Sequence, residues 1–200
     1  MKSILCFFLL STSTLFSQSE MYEICPIKNS EKTPNSVVYQ MNGDSIKLND
    51  YIGDKPTVLV FYRGGWCPYC TKHLAELNSI KTKIDSLGFQ LIAITPDNFT
   101  NLDSSVVRSS EGIDYTLLSD KYASAMTDFG IGWHVNDKLY KKYKTKYNLD
   151  TEWWSGAKHH ILPVPAVFII KDGVIQYQHV DPNYSKRLSS TIILCYLKTL

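Results

Sequence analysis

Two cysteines separated by two residues, within Phe61-Tyr62-Arg63-Gly64-Gly65-Trp66-Cys67-Pro68-Tyr69-Cys70, are the sharpest chemical feature of the chain. The block reads as the end of a strand, a glycine turn and the start of a helix. Cys67 falls just before that helix, where unpaired backbone N–H groups and the positive end of the dipole favour a thiolate over a thiol. Pro68 suits the first helical turn, because its missing N–H is not needed there. Cys70, one turn further in and more buried, lies within reach of Cys67 and can attack a mixed disulfide formed on it. Two plainer readings compete. A zinc half-site would use Cys67, Cys70 and His73 with His159 or His160 as a distant fourth ligand, yet the chain has no second Cys-x-x-Cys. An inert bridge closing so short a loop would stabilise little. His73, His134, His159, His160 and His179 have no paired nucleophile at a recognisable spacing, so none is assigned a catalytic role, and neither a metal nor a cofactor is expected.

The elements that must position the pair follow from periodicity. Thr57 to Tyr62 is a continuous apolar, β-branched run, the mark of a strand buried on both faces. Leu74, Leu77, Ile80, Ile84 and Leu87 recur at spacings of three and four, which predicts one amphipathic helix ended by Gly88. Phe89 to Thr95 and Tyr115 to Leu118 read as strands, Asp97 to Ser110 and Asp120 to Phe129 as helices, the second stopping at Gly130. This alternation predicts a parallel βαβ core. Upstream, Val37-Val38-Tyr39 and Ser45-Ile46-Lys47-Leu48 flank Asn42-Gly43-Asp44 and predict a hairpin. Downstream, Ala166 to Ile170 and Val174 to Val180 flank a Lys171-Asp172-Gly173 turn, and Tyr184 to Leu200 reads as a closing helix with Leu188, Ile192 and Leu197 on one face. Between them, Trp133 to Ile161 is rich in Tyr, Trp and Lys with no clean period; it reads as an insertion that either caps the site and selects substrates or, the favoured reading, covers a sheet edge without chemistry of its own.

A chain of 200 residues, 44% hydrophobic and 20% charged, suits one globular domain with a sizeable core. Lys+Arg 21 against Asp+Glu 19 leaves a formal charge of only +2, scattered along the chain, so nucleic acid and membrane surfaces have no electrostatic support as partners. No internal apolar run reaches the roughly 18 residues of a spanning helix. At the N-terminus, Lys2 precedes the apolar run Ile4 to Leu10 and then small and polar residues, the pattern of a secretory signal over residues 1–17 with cleavage near Ser17–Gln18. Export to the periplasm is the expected destination. Removal of that segment takes Cys6 and leaves Cys25, Cys67, Cys70 and Cys195, too few to be a disulfide scaffold, so the cysteines are free for chemistry. Cys67 with Cys70 is the favoured pairing; Cys25 and Cys195 either pair or remain separate thiols. Residues 18–35 form a polar lead-in, and residues 36–200 the domain, with the insertion at about 131–161.

The stretch FYRGGWCPYC, followed by a helix, by LIAITPD, by TLLSD and by LPVPAVFIIKDGVIQYQHVDPNYSKR, resembles the peroxiredoxin-like branch of the alkyl hydroperoxide reductase/thiol-specific antioxidant family, within the thioredoxin-fold superfamily. The resemblance implies an α/β thioredoxin-like fold: a central mixed sheet flanked by helices, here with an N-terminal hairpin extension and the aromatic insertion. It also implies that Pro165 is the cis-proline facing the cysteine pair, its bond turning the Val164 backbone toward the sulfur. The family's peroxidatic members carry Thr or Ser three residues before the nucleophilic cysteine and bring an Arg from a later strand. Here the first position is Gly64, and Pro163-Val164-Pro165 offers no Arg, which leaves Arg63 either to replace those groups, to lower the Cys67 pKa or to face solvent. Trp66 before Cys67-x-x-Cys70 resembles the disulfide exchangers of the same fold, which implies a flat apolar platform beside the sulfur.

These features support a thiol-dependent oxidoreductase cycling Cys67 and Cys70 between dithiol and disulfide, with Arg63, Trp66, Val164 and Pro165 in support. The principal expectation is reduction of protein or small-molecule disulfides. The alternative is reduction of hydroperoxides through a Cys67 sulfenic acid resolved by Cys70. A thiol electron donor serves either. A third reading, a copper carrier on the same fold, would use both cysteines and His73.

Overall fold

The computed structural model describes residues 23–102 and 114–200. The expected signal over 1–17 lies outside the described residues, as does most of the helix predicted over Asp97–Ser110, of which 99–102 are described and helical.

The chain order is β1 (Val37–Tyr39), β2 (Ser45–Lys47), α1 (Leu48–Ile52), β3 (Thr57–Phe61), α2 (Pro68–Ser79), α3 (Lys81–Ser86), β4 (Gln90–Thr95), β5 (Thr116–Ser119), α4 (Ser124–Asp128), β6 (Gly132–His134), α5 (Asp137–Lys146), α6 (Thr151–Ser155), β7 (Ile161–Pro163), β8 (Ala166–Lys171), β9 (Val174–Val180) and α7 (Ser190–Leu197). Seven strands form one sheet in the order β2-β1-β5-β4-β3-β8-β9, and β6 and β7 form a separate ribbon. β3, β4 and β5 are parallel, while β8 runs antiparallel to β3 and β9 antiparallel to β8. This is the mixed, helix-flanked sheet of a thioredoxin-like fold, preceded by the expected β1–β2 hairpin.

β3 is central because it is apolar on both faces. Val58 and Val60 enter one core with Leu77, Ile84, Leu91 and Ile193, whereas Leu59 and Phe61 enter the other with Ile94, Phe129 and Phe168. Successive strand side chains point to opposite faces, so an unbroken apolar run needs cover on both. The register has a functional consequence. Phe61 pairs with Ile94 on one side and Ala166 on the other, which brings the residues after β3, after β4 and before β8 to one end of the sheet.

Several predicted elements are redrawn. The single helix expected from Leu74 to Leu87 breaks at Ile80, whose φ of −107° and ψ of 5° separate α2 from α3. Asn78 and Ser79 sit at the break, and the Ser79 hydroxyl donates to the Glu76 carbonyl, the local competition that weakens a helix interior. The apolar spacing survives, since Leu77, Ile80 and Ile84 are all buried. The helix expected from Asp120 starts at Ser124, because the Asp120 carboxylate accepts the Ala125 and Met126 amides and Ala123 adopts a left-handed φ of 60°. The closing helix is confined to Ser190–Leu197: Asn183 turns the preceding chain by accepting the Ser185 amide, and Ser189 caps the helix through the Ile192 amide. Its buried face is Ile193 and Leu197, with Ile192 exposed.

The insertion is regular after all. β6 and β7 pair antiparallel, and α5 and α6 lie between them. The Asn136 side chain caps α5 by accepting the Leu139 amide, and Asp150 caps α6 by accepting the Glu152 and Trp153 amides. No residue of α5 is fully buried; Leu139, Tyr140 and Tyr143 lie at helical spacing and pack against the cluster of Trp133, Val135, Leu162 and Val164.

Candidate active site

Cys67 is the N-cap of α2 with extended backbone angles, and Pro68 opens the helix. The Cys67 amide donates to the Gly64 carbonyl at 3.1 Å, and the Cys67 carbonyl accepts from the Cys70 amide at 2.9 Å. Both sulfurs are interior: Cys67 is 2% exposed and Cys70 1%. Burial follows from the layering, since both side chains enter the same core as Val58, Val60 and Leu77. The Cys70 thiol donates to the Cys67 sulfur, which brings the Cys67 pKa down to about 6 against the opposing effect of burial; the fields of Arg63 and Arg187 add to the lowering. Burial pushes the Cys70 thiol well up, and its hydrogen bond to Cys67 pushes it further. One sulfur is thus prepared as nucleophile and the other held as thiol.

Arg63 does not face solvent. It is 4% exposed, its guanidinium carbon lies 5.1 Å from the Trp66 ring centroid and 4.7 Å from that of Tyr184, and its Nη2 donates to the Tyr143 hydroxyl at 2.8 Å. Stacking on aromatic faces compensates part of the desolvation of a buried guanidinium. Trp66 therefore supports the arginine as well as the sulfur. Tyr143 belongs to α5, so the insertion is part of the site wall and not merely a cover.

Gly64 and Gly65 form the turn before the nucleophile. Asp97, buried at the end of β4, accepts the Gly65 amide at 2.7 Å. Gly64 has a φ of +144°, and a Cβ there would lie 2.2 Å from Trp66 Nε1 and 2.8 Å from Asp97 Oδ1. The family's Thr or Ser cannot be accommodated at this position without rebuilding the turn.

The expected cis-proline is a second correction. No described peptide bond is cis, and Val164–Pro165 is trans. The Val164 amide donates to the Ile131 carbonyl at 2.8 Å and the Pro165 carbonyl accepts from Asp181, so the chain passes extended from β7 into β8. Val164 N–H is committed within the protein, not presented to a substrate.

An arginine that the sequence did not reveal completes the site. Arg187 Nη2 donates to Cys70 Sγ at 3.1 Å, and its Nη1 donates to the Tyr184 and Lys186 carbonyls. It comes from irregular chain before α7, with no motif to mark it, and the arginine that the family resemblance asks for on a later strand did not point to it. His73, one turn beyond Cys70 on α2, donates Nε2–H to the Leu188 carbonyl at 3.1 Å, and burial and the Arg187 charge push its pKa down to about 4. It does not join the cysteine pair. His159 and His160 are engaged by the Lys121 carbonyl and Glu152. Among the described residues no three His, Cys, Asp or Glu side chains cluster as a metal site. Cys25 and Cys195 are exposed, separate thiols.

Comparison with known proteins gives the family and the fold. Residues 30–178 match the AhpC/TSA family. The chain is 26% identical over 106 residues to a putative peroxiredoxin bcp of Haemophilus influenzae, covering 53% of this chain and 66% of that protein. It is 24% identical over 108 residues to a chloroplastic peroxiredoxin Q of Suaeda salsa, covering 54% and 49%. A putative peroxiredoxin bcp of Coxiella burnetii is 26% identical over 130 residues, 63% of this chain and 83% of that one. The chain thus spans half to two-thirds of the first two relatives' length. Reduced Prx3 of Vibrio vulnificus, solved in complex with hydrogen peroxide, superposes with a TM-score of 0.68 at 16% identity over 86% of this chain and 99% of that one. BcpB of Mycobacterium tuberculosis superposes with a TM-score of 0.64 at 17% identity over 87% and 98%. Those structures share the fold, and the family match extends over well more than half of the sequence: the chain belongs to the AhpC/TSA family, as a peroxiredoxin-like member of the thioredoxin-fold superfamily.

Proposed function

We propose that this chain is a thiol-dependent peroxidase in which Cys67 reduces a hydroperoxide and Cys70 resolves the product. One observation carries the reading: the acidic Cys67 sulfur sits at a helix N-terminus in the fields of two arginines, Arg63 and Arg187. Cations there stabilise the thiolate and the negative charge that develops on the departing oxygen. In the first step the Cys67 thiolate attacks one peroxide oxygen, the O–O bond breaks, and the other oxygen leaves as alkoxide or hydroxide and takes a proton. Cys67 is then a sulfenic acid. In the second, the Cys70 thiolate attacks the Cys67 sulfur, hydroxide leaves and is protonated to water, and the disulfide forms. A thiol donor returns the pair to the dithiol. None of these steps draws on a cofactor.

A second reading, reduction of protein or small-molecule disulfides, is favoured by the closed space at Gly64, which denies the site the hydroxyl of a peroxidatic member. Disulfide exchange needs only the acidic thiol, its resolving neighbour and access. Stopped-flow oxidation of the reduced protein by hydrogen peroxide separates the two. Rapid oxidation that is lost in Cys67→Ser and stops at a dimedone-reactive sulfenic acid in Cys70→Ser is expected. Oxidation no faster than that of a free thiol, beside ready reduction of a protein disulfide, would transfer the assignment to the second reading.

Export to the periplasm is part of the proposal, supported by Lys2 and the apolar run Ile4 to Leu10. N-terminal sequencing of protein from a secreting host should begin near Gln18; an intact Met1 in the cytoplasmic fraction would count against it.

A further inference from the structure

We propose that Arg187 is a catalytic residue of the resolving step, holding the thiolate on Cys70 as that sulfur attacks. The inference rests on the division of roles given above, with Cys67 as nucleophile and Cys70 as resolver. That division creates a problem the geometry answers. In the reduced protein Cys70 must be a thiol, because its S–H supports the Cys67 thiolate. Once Cys67 carries a sulfenic acid or a mixed disulfide, the same buried sulfur, 1% exposed, must ionise to become the second nucleophile. An unpaired buried anion is costly, so a prepared partner is needed.

Two donors already point at Cys70 Sγ. Arg187 Nη2 lies 3.1 Å away, and the Arg63 backbone N–H bonds to the same sulfur. The Arg187 guanidinium is held through its other terminal nitrogen, Nη1, by the Tyr184 and Lys186 carbonyls, so its charge is positioned before the reaction starts. Such preorganised donors act where charge develops, as an oxyanion hole does. The other titratable groups around the sulfur supply no cation: Tyr62 is pushed well up by burial and stays neutral, and His73, beside Arg187, is held neutral above about pH 4. Arg63 meets Cys70 through its backbone, while its guanidinium is stacked on Trp66 and Tyr184. The guanidinium in hydrogen-bond contact with the resolving sulfur is that of Arg187.

The test uses the full reduced protein with Cys6, Cys25 and Cys195 replaced by serine, so that thiols outside the pair release nothing, and the aromatic disulfide 5,5′-dithiobis(2-nitrobenzoate), with no peroxide present. The Cys67 thiolate attacks the probe and releases one thionitrobenzoate, leaving a mixed disulfide. The Cys70 thiol then loses its proton to solvent and attacks the Cys67 sulfur, releasing a second thionitrobenzoate and forming the Cys67–Cys70 disulfide. Arg187→Met should slow the second release about tenfold or more and move its acid limb to higher pH, with a much smaller effect on the first. Arg187→Lys, which keeps a charge, should recover a large part of the second rate, and it serves as the test if the Met variant does not fold. Equal slowing of both phases, or a second phase whose rate and pH dependence are unchanged, would overturn the role of Arg187. A wild type that releases a single equivalent would instead overturn Cys70 as resolver, and slow peroxide oxidation with two normal phases here would overturn only the peroxidase reading.

Discussion

Cys67 combines burial, which opposes a charge, with a hydrogen bond from Cys70 and two arginines, which favour it; the favourable contributions win and bring the sulfur to about 6. The thiolate is the nucleophile, so its reactive fraction is full well above that value and declines about tenfold per pH unit below it. Alkylation of the reduced protein by iodoacetamide should therefore show an acid limb with a midpoint near pH 6, assigned to Cys67 by its absence in Cys67→Ser. A midpoint near the ordinary thiol value would remove the electrostatic argument for the nucleophile. Gly64 makes the opposite point, that a family residue can be excluded by space. Gly64→Thr should lower stability by roughly 1–3 kcal/mol, from the strained backbone and the overlap with Trp66 and Asp97. Urea midpoints check this, and a threonine variant as stable as the wild type would show that the turn can be rebuilt.

At the scale of elements, the insertion between β6 and β7 ties a surface helix to the nucleophile. α5 places the Tyr143 hydroxyl on Arg63, and Arg63 in turn adds its charge to the field at Cys67. Tyr143→Phe keeps the ring but leaves a buried guanidinium donor unpaired, at a cost of about 1–3 kcal/mol. The variant should lose stability in that range, and the acid limb of Cys67 alkylation should shift upward as Arg63 gains freedom. A variant with the wild-type limb and midpoint would make the insertion a cover after all.

At the scale of the whole molecule, stability depends on pH through His73, buried one turn beyond Cys70. His73 is neutral in the folded protein down to about pH 4, because burial and the Arg187 charge penalise its protonation. In the unfolded chain a histidine protonates near pH 6.5. Between those values the unfolded state binds more protons, so the stability contributed by the neutral ring is full above about pH 6.5 and is lost as pH falls through 4. Urea unfolding should show a stability loss over that window that is smaller in His73→Gln. An equal loss in both would assign acid sensitivity to other groups.

The sequence by itself determined what is local. The apolar run Thr57–Tyr62 reads as a strand covered on both faces, the glycine turn and Pro68 as a helix start, and Cys67 as the residue at that junction, the place on which its proposed role as nucleophile rests. The β1–β2 and β8–β9 hairpins were legible for the same reason, since turn chemistry and alternation act over a few residues. Tertiary structure decided what depends on distant residues meeting. The break at Ile80 keeps the apolar period and so leaves no trace in it, and the β6–β7 ribbon pairs Gly132 with Pro163 across the two helices between them. Arg187 stands 117 residues from Cys70 in irregular chain, and Tyr143 stands 80 from Arg63. Both are brought to the cysteines by the sheet register and the chain that follows it. No local pattern encodes that meeting, because a guanidinium or a phenol acquires its role only from the sulfur or side chain that packing sets beside it.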